Sequence, residues 1–446
     1  MDPTDKEWAG LTPDEKRQER FKWALETPPV NFSSTEAEKA YQVRRKRLVD
    51  TYQMKEPDRV LVQLPFGTLP LQWAGLTLKT AMYDSHVVRQ IWQKLIYDFE
   101  MDTYSGPGII QGKVYDMIDY KLYRWPGHGL PDDASGLQFV EGEYMTAGEY
   151  DDLIRDPSDF WLRTYIPRII TAFEPFRNLR PPTSMIEMAT GYLIPYSRPD
   201  VQKTLQLLID VGNEISKWQE VTAECSREAR EAGIPTAIGG SGARAPFDTI
   251  GDTMRGTRGI MMDMYRQPDK LLKAMDVVAD ITIHTAISTA NSVRGLTVGF
   301  PLHKGADGFM SDKQFETFYW PSLRKVIMAL INEGLIPSLF AEGSYTSRLE
   351  TVNEFPKGAI IWRFDRTDMA RAKKVLGDRC IITGNVPASM ISTGTAQEVK
   401  DYCRNLIDIC APGGGYILSA GSSVTSAPPE NLRAMMAAAK EYGVYK

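Results

Sequence analysis

The chain has 446 residues, a formal net charge of -5, 43% hydrophobic and 24% charged residues. That composition supports a full apolar core and excludes global disorder, and the acidic balance argues against nucleic acid as the main partner. No run approaches the roughly 18 apolar residues of a membrane helix, and the acidic, polar start Met1-Asp2-Pro3-Thr4-Asp5 predicts no secretory signal, so the expected setting is the cytoplasm.

Residues 1–55 read as a helical extension. Thr12-Pro13-Asp14-Glu15 is a helix start, with Thr12 as cap and Pro13 in the first turn, running to Glu26 and stopped by Pro28-Pro29. A second helix spans Thr35 to about Tyr52 and carries Arg44-Arg45-Lys46-Arg47, a run that is ordinarily a solvated face. Val60–Pro65 is a first buried strand, a helix covers about His86 to Glu100, and Tyr104–Ile110 reads as a strand end and loop. Residues 115–160 form a turn-rich insertion around Trp125-Pro126-Gly127-His128-Gly129, bordered by Tyr120, Tyr123, Phe139 and Tyr144. Those aromatics either make a lid over a flat apolar ligand or fill a small core of their own.

A helix from about Pro157 to Phe173 precedes a strand near Met185–Thr190, and a long helix covers Val201–Ala232. The short strand Thr236–Gly240 ends in a glycine-rich stretch to Pro246 that lacks the Lys-Ser/Thr of a phosphate loop. Helices around Thr249–Met264 and Pro268–Val293 follow, the second with His284 among apolar residues, where a core histidine is expected. The strand Leu296–Leu302 ends in His303 and, four residues on, Asp307; Ser311 caps the helix Asp312–Glu333.

Four strand–turn–helix units complete the chain. Their strands are Ile336–Glu342, Ala359–Asp365, Cys380–Val386 and Tyr416–Gly421; their helices are about Ser347–Asn353, Asp368–Leu376, Ala396–Cys410 and Glu430–Tyr442. Apolar runs alternating with amphipathic helices mark a parallel sheet, because parallel strands need helical crossovers. Each strand ends in polar residues, where a β/α barrel keeps its chemistry. The reading is a (β/α)8 TIM-type barrel over 56–446, with the N-terminal helical extension and the aromatic-rich insertion added to it. Cys225, Cys380, Cys403 and Cys410 show neither Cys-x-x-Cys nor zinc-ribbon spacing and read as buried, reduced thiols.

Gly384-Asn385-Val386-Pro387, Thr393-Gly394-Thr395-Ala396-Gln397-Glu398, Ala411-Pro412-Gly413-Gly414-Gly415 and Pro428-Pro429-Glu430-Asn431 resemble, in order and spacing, the uroporphyrinogen decarboxylase superfamily over roughly the last 200 residues, with looser matches at Pro246-Phe247-Asp248 and Gly308-Phe309-Met310-Ser311. The resemblance implies a barrel with its site at the C-terminal rim. True decarboxylases hold tetrapyrrole carboxylates with an arginine-bearing N-terminal segment, whereas Leu64–Pro70 here has no arginine, and Gly421-Ser422-Ser423 replaces their Gly-His-Gly turn. The closer branch is the cobamide-dependent methyltransferases. Many of these hold zinc with a His-x-Cys strand end and a later cysteine, where this chain has Phe340, Glu342 and Ser422.

What the resemblance implies is therefore a methyltransferase taking a methyl group from a methoxylated or otherwise methylated small molecule to a corrinoid (cobalamin) on a separate protein, since the chain has no Asp-x-His-x-x-Gly motif. A homodimer is what the superfamily often shows. Zinc would need ligands other than the usual set, Glu342 and His303 being the residues to hold it. The rival readings are a cofactor-independent decarboxylase or lyase using acid–base groups on the same rim, and a non-catalytic tetrapyrrole- or corrinoid-binding protein. The candidate catalytic residues are Glu342, His303 and Asn385. A carboxyl at the tip of a buried strand loses water, so Glu342 is expected to have a raised pKa and to act as an acid toward an ether oxygen; alternatively it pairs with Arg348 or Arg363 and only holds the rim. Asn385 is a donor to substrate or a strand-end turn residue, and Arg363 with Asp365 reads as a rim ion pair. Phe340, Arg348, Arg363, Asp365, Asp307 and Ser422, with Trp125 and His128 from the insertion, are the candidate substrate contacts.

Overall fold

The computed structural model describes residues 5–26, 29–187 and 189–445; the features read at Met1–Thr4 and Pro28 lie outside the described residues. No helix among the described residues is long and apolar enough to cross a membrane.

Among the described residues, ten strands form two sheets. β1 (Leu61–Gln63) comes first, and the insertion contributes β2 (Tyr123–Pro126), β3 (Gly129–Leu130) and β4 (Gln138–Phe139). β5 (Gly240–Gly242), β6 (Thr297–Leu302), β7 (Ile336–Ala341), β8 (Ile361–Phe364), β9 (Ile381–Thr383) and β10 (Tyr416–Ser419) follow. The large sheet has seven strands in the order β1-β10-β9-β8-β7-β6-β5, all parallel, and curls with its helices outside as an α/β barrel of the TIM type. The position between β1 and β5 is held by Met101–Tyr104. Tyr104 makes a one-residue parallel bridge to Thr236, while on the other side the carboxylate of Asp102, not a backbone ladder, accepts from the Val62 amide at 2.9 Å. Asp102 also accepts from Arg47 Nη1 at 2.6 Å and from Arg59 Nη2 at 2.6 Å and Nη1 at 2.8 Å.

The first residues of the strands point into an apolar plug. Leu61, Ile336, Ile361 and Ile381 pack with Ile417 and Leu296 against Phe21, Leu48, Tyr52 and Met54 of the helical extension. The two predicted helices of that extension form where their caps say they should, and a short helix, Asp5–Ala9, precedes them. Thr12 and Glu15 make a capping box for Pro13–Leu25, and Ser34 accepts from the Ala37 amide to start Thr35–Tyr52. Arg20, fully buried, fixes the helix Pro13–Leu25 to the barrel by donating to Glu333 O at 2.7 Å, Gly295 O at 3.0 Å and Asn291 Oδ1 at 2.7 Å. Burial lowers its pKa to about 10 against the pull of Glu333. Arg20→Met should speed amide exchange over Pro13–Leu25 by at least tenfold, since bonds to a charged group contribute about 1.5–3 kcal/mol each; unchanged exchange would mean that the plug alone holds the helix.

Several predicted features take another form. The basic run is not a uniformly solvated face: Arg47 turns inward to Asp102 and Asp58, and Arg44 donates to Gly233 O at 2.8 Å. Met185–Thr190 is no strand; Ile186 is 87% exposed and Ala189–Leu193 is a short helix, with Met188 outside the described residues. A run of apolar residues without a neighbouring strand to pair has no reason to extend. The insertion, read as lacking regular elements, contains the sheet β3-β2-β4. The helix expected over Thr249–Met264 is two, Pro246–Thr253 and Gly256–Arg266, broken where Gly256 takes a φ of 68°. Ser347–Asn353 forms turns, not a helix, and His284 is exposed rather than in the core.

Candidate active site

The parallel register sets Pro301, Phe340, Arg363 and Thr383 side by side on β6 to β9. The residues just beyond them therefore share one rim: His303 after β6, Glu342 after β7, Asp365 after β8 and Asn385 after β9. The rim splits into two halves of different character.

The first half is charged. His303 Nδ1 donates to Asp252 Oδ2 at 2.6 Å, and its Nε2 faces Glu342 Oε2 at 3.6 Å. Lys304 Nζ lies 2.8 Å from Asp252 Oδ1 and donates to Thr257 Oγ1 at 3.1 Å; Arg244 Nη1 donates to Asp252 Oδ2 at 3.3 Å. Beneath them, fully buried Asp248 accepts from the amides of His303 and Lys304 at 3.0 Å each and from the Tyr319 hydroxyl at 2.7 Å. Asp248 and Asp252 stand one turn apart on the helix Pro246–Thr253, so one face of one helix carries both carboxylates. The loop after His303 can pass this close to its neighbours because residue 305 is glycine: a Cβ there would come 2.6 Å from both the Tyr319 ring and the Tyr345 hydroxyl.

The electrostatics follow from burial and pairing. The bond to Asp252 raises the pKa of His303 against a desolvation that lowers it, with the charges of Asp252, Asp248 and Glu342 adding to the rise. Burial opposes the charge on Asp252, but the bonds from His303 and Lys304 outweigh it and hold that carboxyl below its ordinary range. Asp248 is pushed up to about 6, first by burial and then by the charge of Asp252. The expectation that Glu342 is the desolvated acid is thus corrected: its side chain is 54% exposed beside His303, and the buried acid is Asp248. Glu342 pairs with neither Arg348 nor Arg363; its partner is His303.

The second half of the rim carries Arg363 and Asp365, which do not pair with each other. Arg363 lies over the Phe340 ring, 4.9 Å from its centroid, and donates from Nη2 to Ala420 O at 3.4 Å. It makes no ion pair with Asp365, whose Oδ2 accepts instead from the Gly343 amide at 3.1 Å. Asn385 is not free to donate to a substrate, because both hydrogens of its amide go to main-chain carbonyls, Asp365 O at 3.1 Å and Thr367 O at 2.9 Å. Ser422 sits half-buried at the mouth of a cleft with Asp365, Thr367 and Asn385.

Other predicted contacts serve the scaffold. Arg348 is buried under the rim, donating to Met310 O at 2.6 Å, pairing with Asp312 and lying over the Phe315 ring. Asp307 organises two loops, accepting from Ser344 Oγ at 2.7 Å and Ser347 Oγ at 3.0 Å. Trp125 is fully buried, bonded to the Tyr83 hydroxyl and stacked on His128 at 4.2 Å. His128 lies 3.3 Å from Asp116, and none of its contacts belongs to the rim. The aromatics of the insertion pack on one another, Tyr115 against Tyr120, Tyr123 and Trp125, and Tyr123 against Phe139, so they fill a core of their own. The insertion reaches the site by another route: Tyr144 and Met145 donate to Met254 O, and Glu141 accepts from the Thr257 amide, beside the hydroxyl that holds Lys304.

Asp248, Asp252, Lys304, Arg244 and Tyr319 are site residues that sequence reasoning passed over. The available signal was the pair Asp248 and Asp252 at helical spacing just after a glycine-rich strand end. A zinc site takes three protein donors even when it is catalytic. Among the described residues no three His, Cys, Asp or Glu side chains come together to hold a metal, and the four cysteines are all buried. His303 commits Nδ1 to Asp252, which leaves one nitrogen and one carboxylate, so the donor set does not fit zinc.

Residues 186–442, more than half of the chain and including His303, Glu342, Asp365 and Asn385, match the family model described as uroporphyrinogen decarboxylase (URO-D). No curated protein sequence matches. Among solved structures, a methyltransferase from Methanosarcina mazei superposes with a TM-score of 0.57 at 14% sequence identity, covering 90% of this chain and 98% of that one, a likeness of fold.

Proposed function

This chain belongs to the uroporphyrinogen decarboxylase family, and from that membership we propose that it acts as a methyltransferase on a methoxylated or otherwise methylated small molecule, with a corrinoid on a separate protein as the methyl acceptor. The observation that carries this reading is the imidazole of His303, held by Asp252 at 2.6 Å and facing Glu342 at 3.6 Å on the open rim. When a CH3–O bond breaks by transfer of the methyl group to a nucleophile, the bonding pair stays on oxygen and that oxygen takes a proton. His303 Nε2 supplies the proton, and the product is an alcohol or phenol. Asp252 is a positioning residue: it fixes the Nδ1–H tautomer, aims Nε2 outward and keeps the ring protonated. Exposed Glu342 takes part in restoring the proton from water. The corrinoid supplies the nucleophile; this chain binds, orients and protonates. The arginine-free segment Leu64–Pro70, which offers nothing to tetrapyrrole carboxylates, favours this branch of the family over porphyrinogen decarboxylation.

Free cob(I)alamin can stand in for the corrinoid protein, with 4-methoxybenzoate as methyl donor and visible absorption as the readout. Transfer is expected, with a rate that falls as pH rises through the pKa of His303. Asp252→Asn removes the largest cause of the raised pKa, so that limb should move to lower pH by about one unit. A limb that stays in place would exclude His303 as the proton donor, and absence of transfer at every pH would exclude the reading.

A further inference from the structure

We propose that Arg363 holds a carboxylate of the substrate inside the barrel, so that the molecule acted on is a methylated carboxylic acid. The proposal deepens the methyltransferase reading and rests on it for which end of the substrate reacts.

β8 alternates, and Ile361 goes to the apolar plug, so Arg363, two residues on, looks into the barrel above it. TIM barrels ordinarily fill this level with bulky apolar side chains. Here the register puts Phe340 on β7 and Thr383 on β9 beside Arg363, the Thr383 hydroxyl pairing with Ser419 at 2.9 Å, and the inward positions one step lower on β6 and β7 are the small residues Gly299 and Ser338. A Cβ at Gly299 would meet nothing within 4 Å, so space remains beside β6. The Arg363 guanidinium carries five N–H donors. Its one hydrogen bond is the long one to Ala420 O, its Nε is buried without a partner, and among the described residues no carboxylate lies within 4 Å of it. Asp365, its nearest carboxylate in sequence, accepts from the Gly343 amide and faces Arg366 at 3.8 Å instead.

Arg363 is half-buried with its Nε shut away from water; a desolvated donor is costly unless an anion completes it, and the planar fork matches a carboxylate with two parallel bonds. The Phe340 ring beneath it fixes the plane of the fork. Burial lowers the pKa of Arg363, with only Asp365 acting against it, as expected of a cation that lacks its counter-charge. β8 stands two strands from β6, about 10 Å across the sheet. A substrate of one ring's length therefore places its carboxylate at Arg363 and its methylated oxygen toward His303.

Calorimetric titration of the whole chain with 4-methoxybenzoate and 4-methoxybenzamide tests this without turnover. The acid should bind at least about 10-fold more tightly than the amide. Arg363→Met should abolish that preference, and Arg363→Lys, which keeps the charge without the fork, should retain part of it; circular dichroism and melting confirm that each variant is folded. Equal binding of acid and amide, a preference that survives in Arg363→Met, or no binding of either compound overturns the proposal. If the acid binds through Arg363 but no methyl group reaches cob(I)alamin, the carboxylate site stands and the methyltransferase reading falls.

Discussion

Asp102→Ala is expected to destabilise the chain by about 3–5 kcal/mol, the usual cost of breaking a buried ion pair by removing one partner. Asp102 is buried, and so are Arg47 and Arg59, which face it from the helical extension and from the approach to β1. The substitution takes the carboxylate partner from Arg59, leaves Arg47 only its pair with Asp58, and frees the Val62 amide that closes the barrel between β1 and Tyr104. Urea unfolding followed by tryptophan fluorescence reads the effect as a lower midpoint. A loss below about 1 kcal/mol, in the range of a surface pair, would show that the barrel closes by backbone pairing and packing, and that the carboxylate only decorates the joint.

His303→Gln is expected to lower methyl transfer to cob(I)alamin by about 100-fold to 10,000-fold, the range of a positioned proton donor. Glutamine retains a polar side chain but cannot give up a proton, so substrate binding should change far less than turnover. The same network couples stability to pH. His303 has a raised pKa when folded, so its contribution is fully present below the unfolded value of about 6.5 and is lost as pH climbs through the folded one. Asp248 acts with the same sign, its contribution being lost as pH rises through about 6. His303→Gln should remove the His303 part of the pH–stability curve above pH 6.5, and loss of the imidazolium charge, which holds Asp248 down, should move the Asp248 part to higher pH. A turnover loss smaller than tenfold would remove His303 from the chemistry.

The barrel was legible because its rules are local. Strands that begin with Ile336, Ala359 and Cys380 and end in polar residues, in a chain that alternates them with amphipathic helices such as Met369–Leu376 and Ala396–Cys410, admit one kind of sheet, and the rim positions of His303, Glu342 and Arg363 follow from where the strands end. The partners were not legible, because they are set by tertiary distance. Asp252 lies inside a helix, and nothing in its surrounding sequence says that it meets His303 at 2.6 Å. Glu342 was expected to be desolvated because it ends a buried strand, but it lies just beyond β7 with its side chain 54% exposed. Asn385 looked like a donor at a strand end, whereas its amide is consumed by two carbonyls of the neighbouring loop. Trp125 and His128 drew notice by composition, and their roles are to pack and stack within the insertion.

The most direct measurement follows two labels through one reaction. 4-Methoxybenzoate labelled with 13C in both the methoxyl and the carboxyl carbon is mixed with the purified chain and cob(I)alamin, and the products are read by NMR. A methyltransferase moves the methyl label from oxygen to the cobalamin and keeps the carboxyl label on the ring as 4-hydroxybenzoate. Release of the carboxyl label as carbon dioxide, with the methyl label still on oxygen, would contradict that function and identify a decarboxylase working on the same rim.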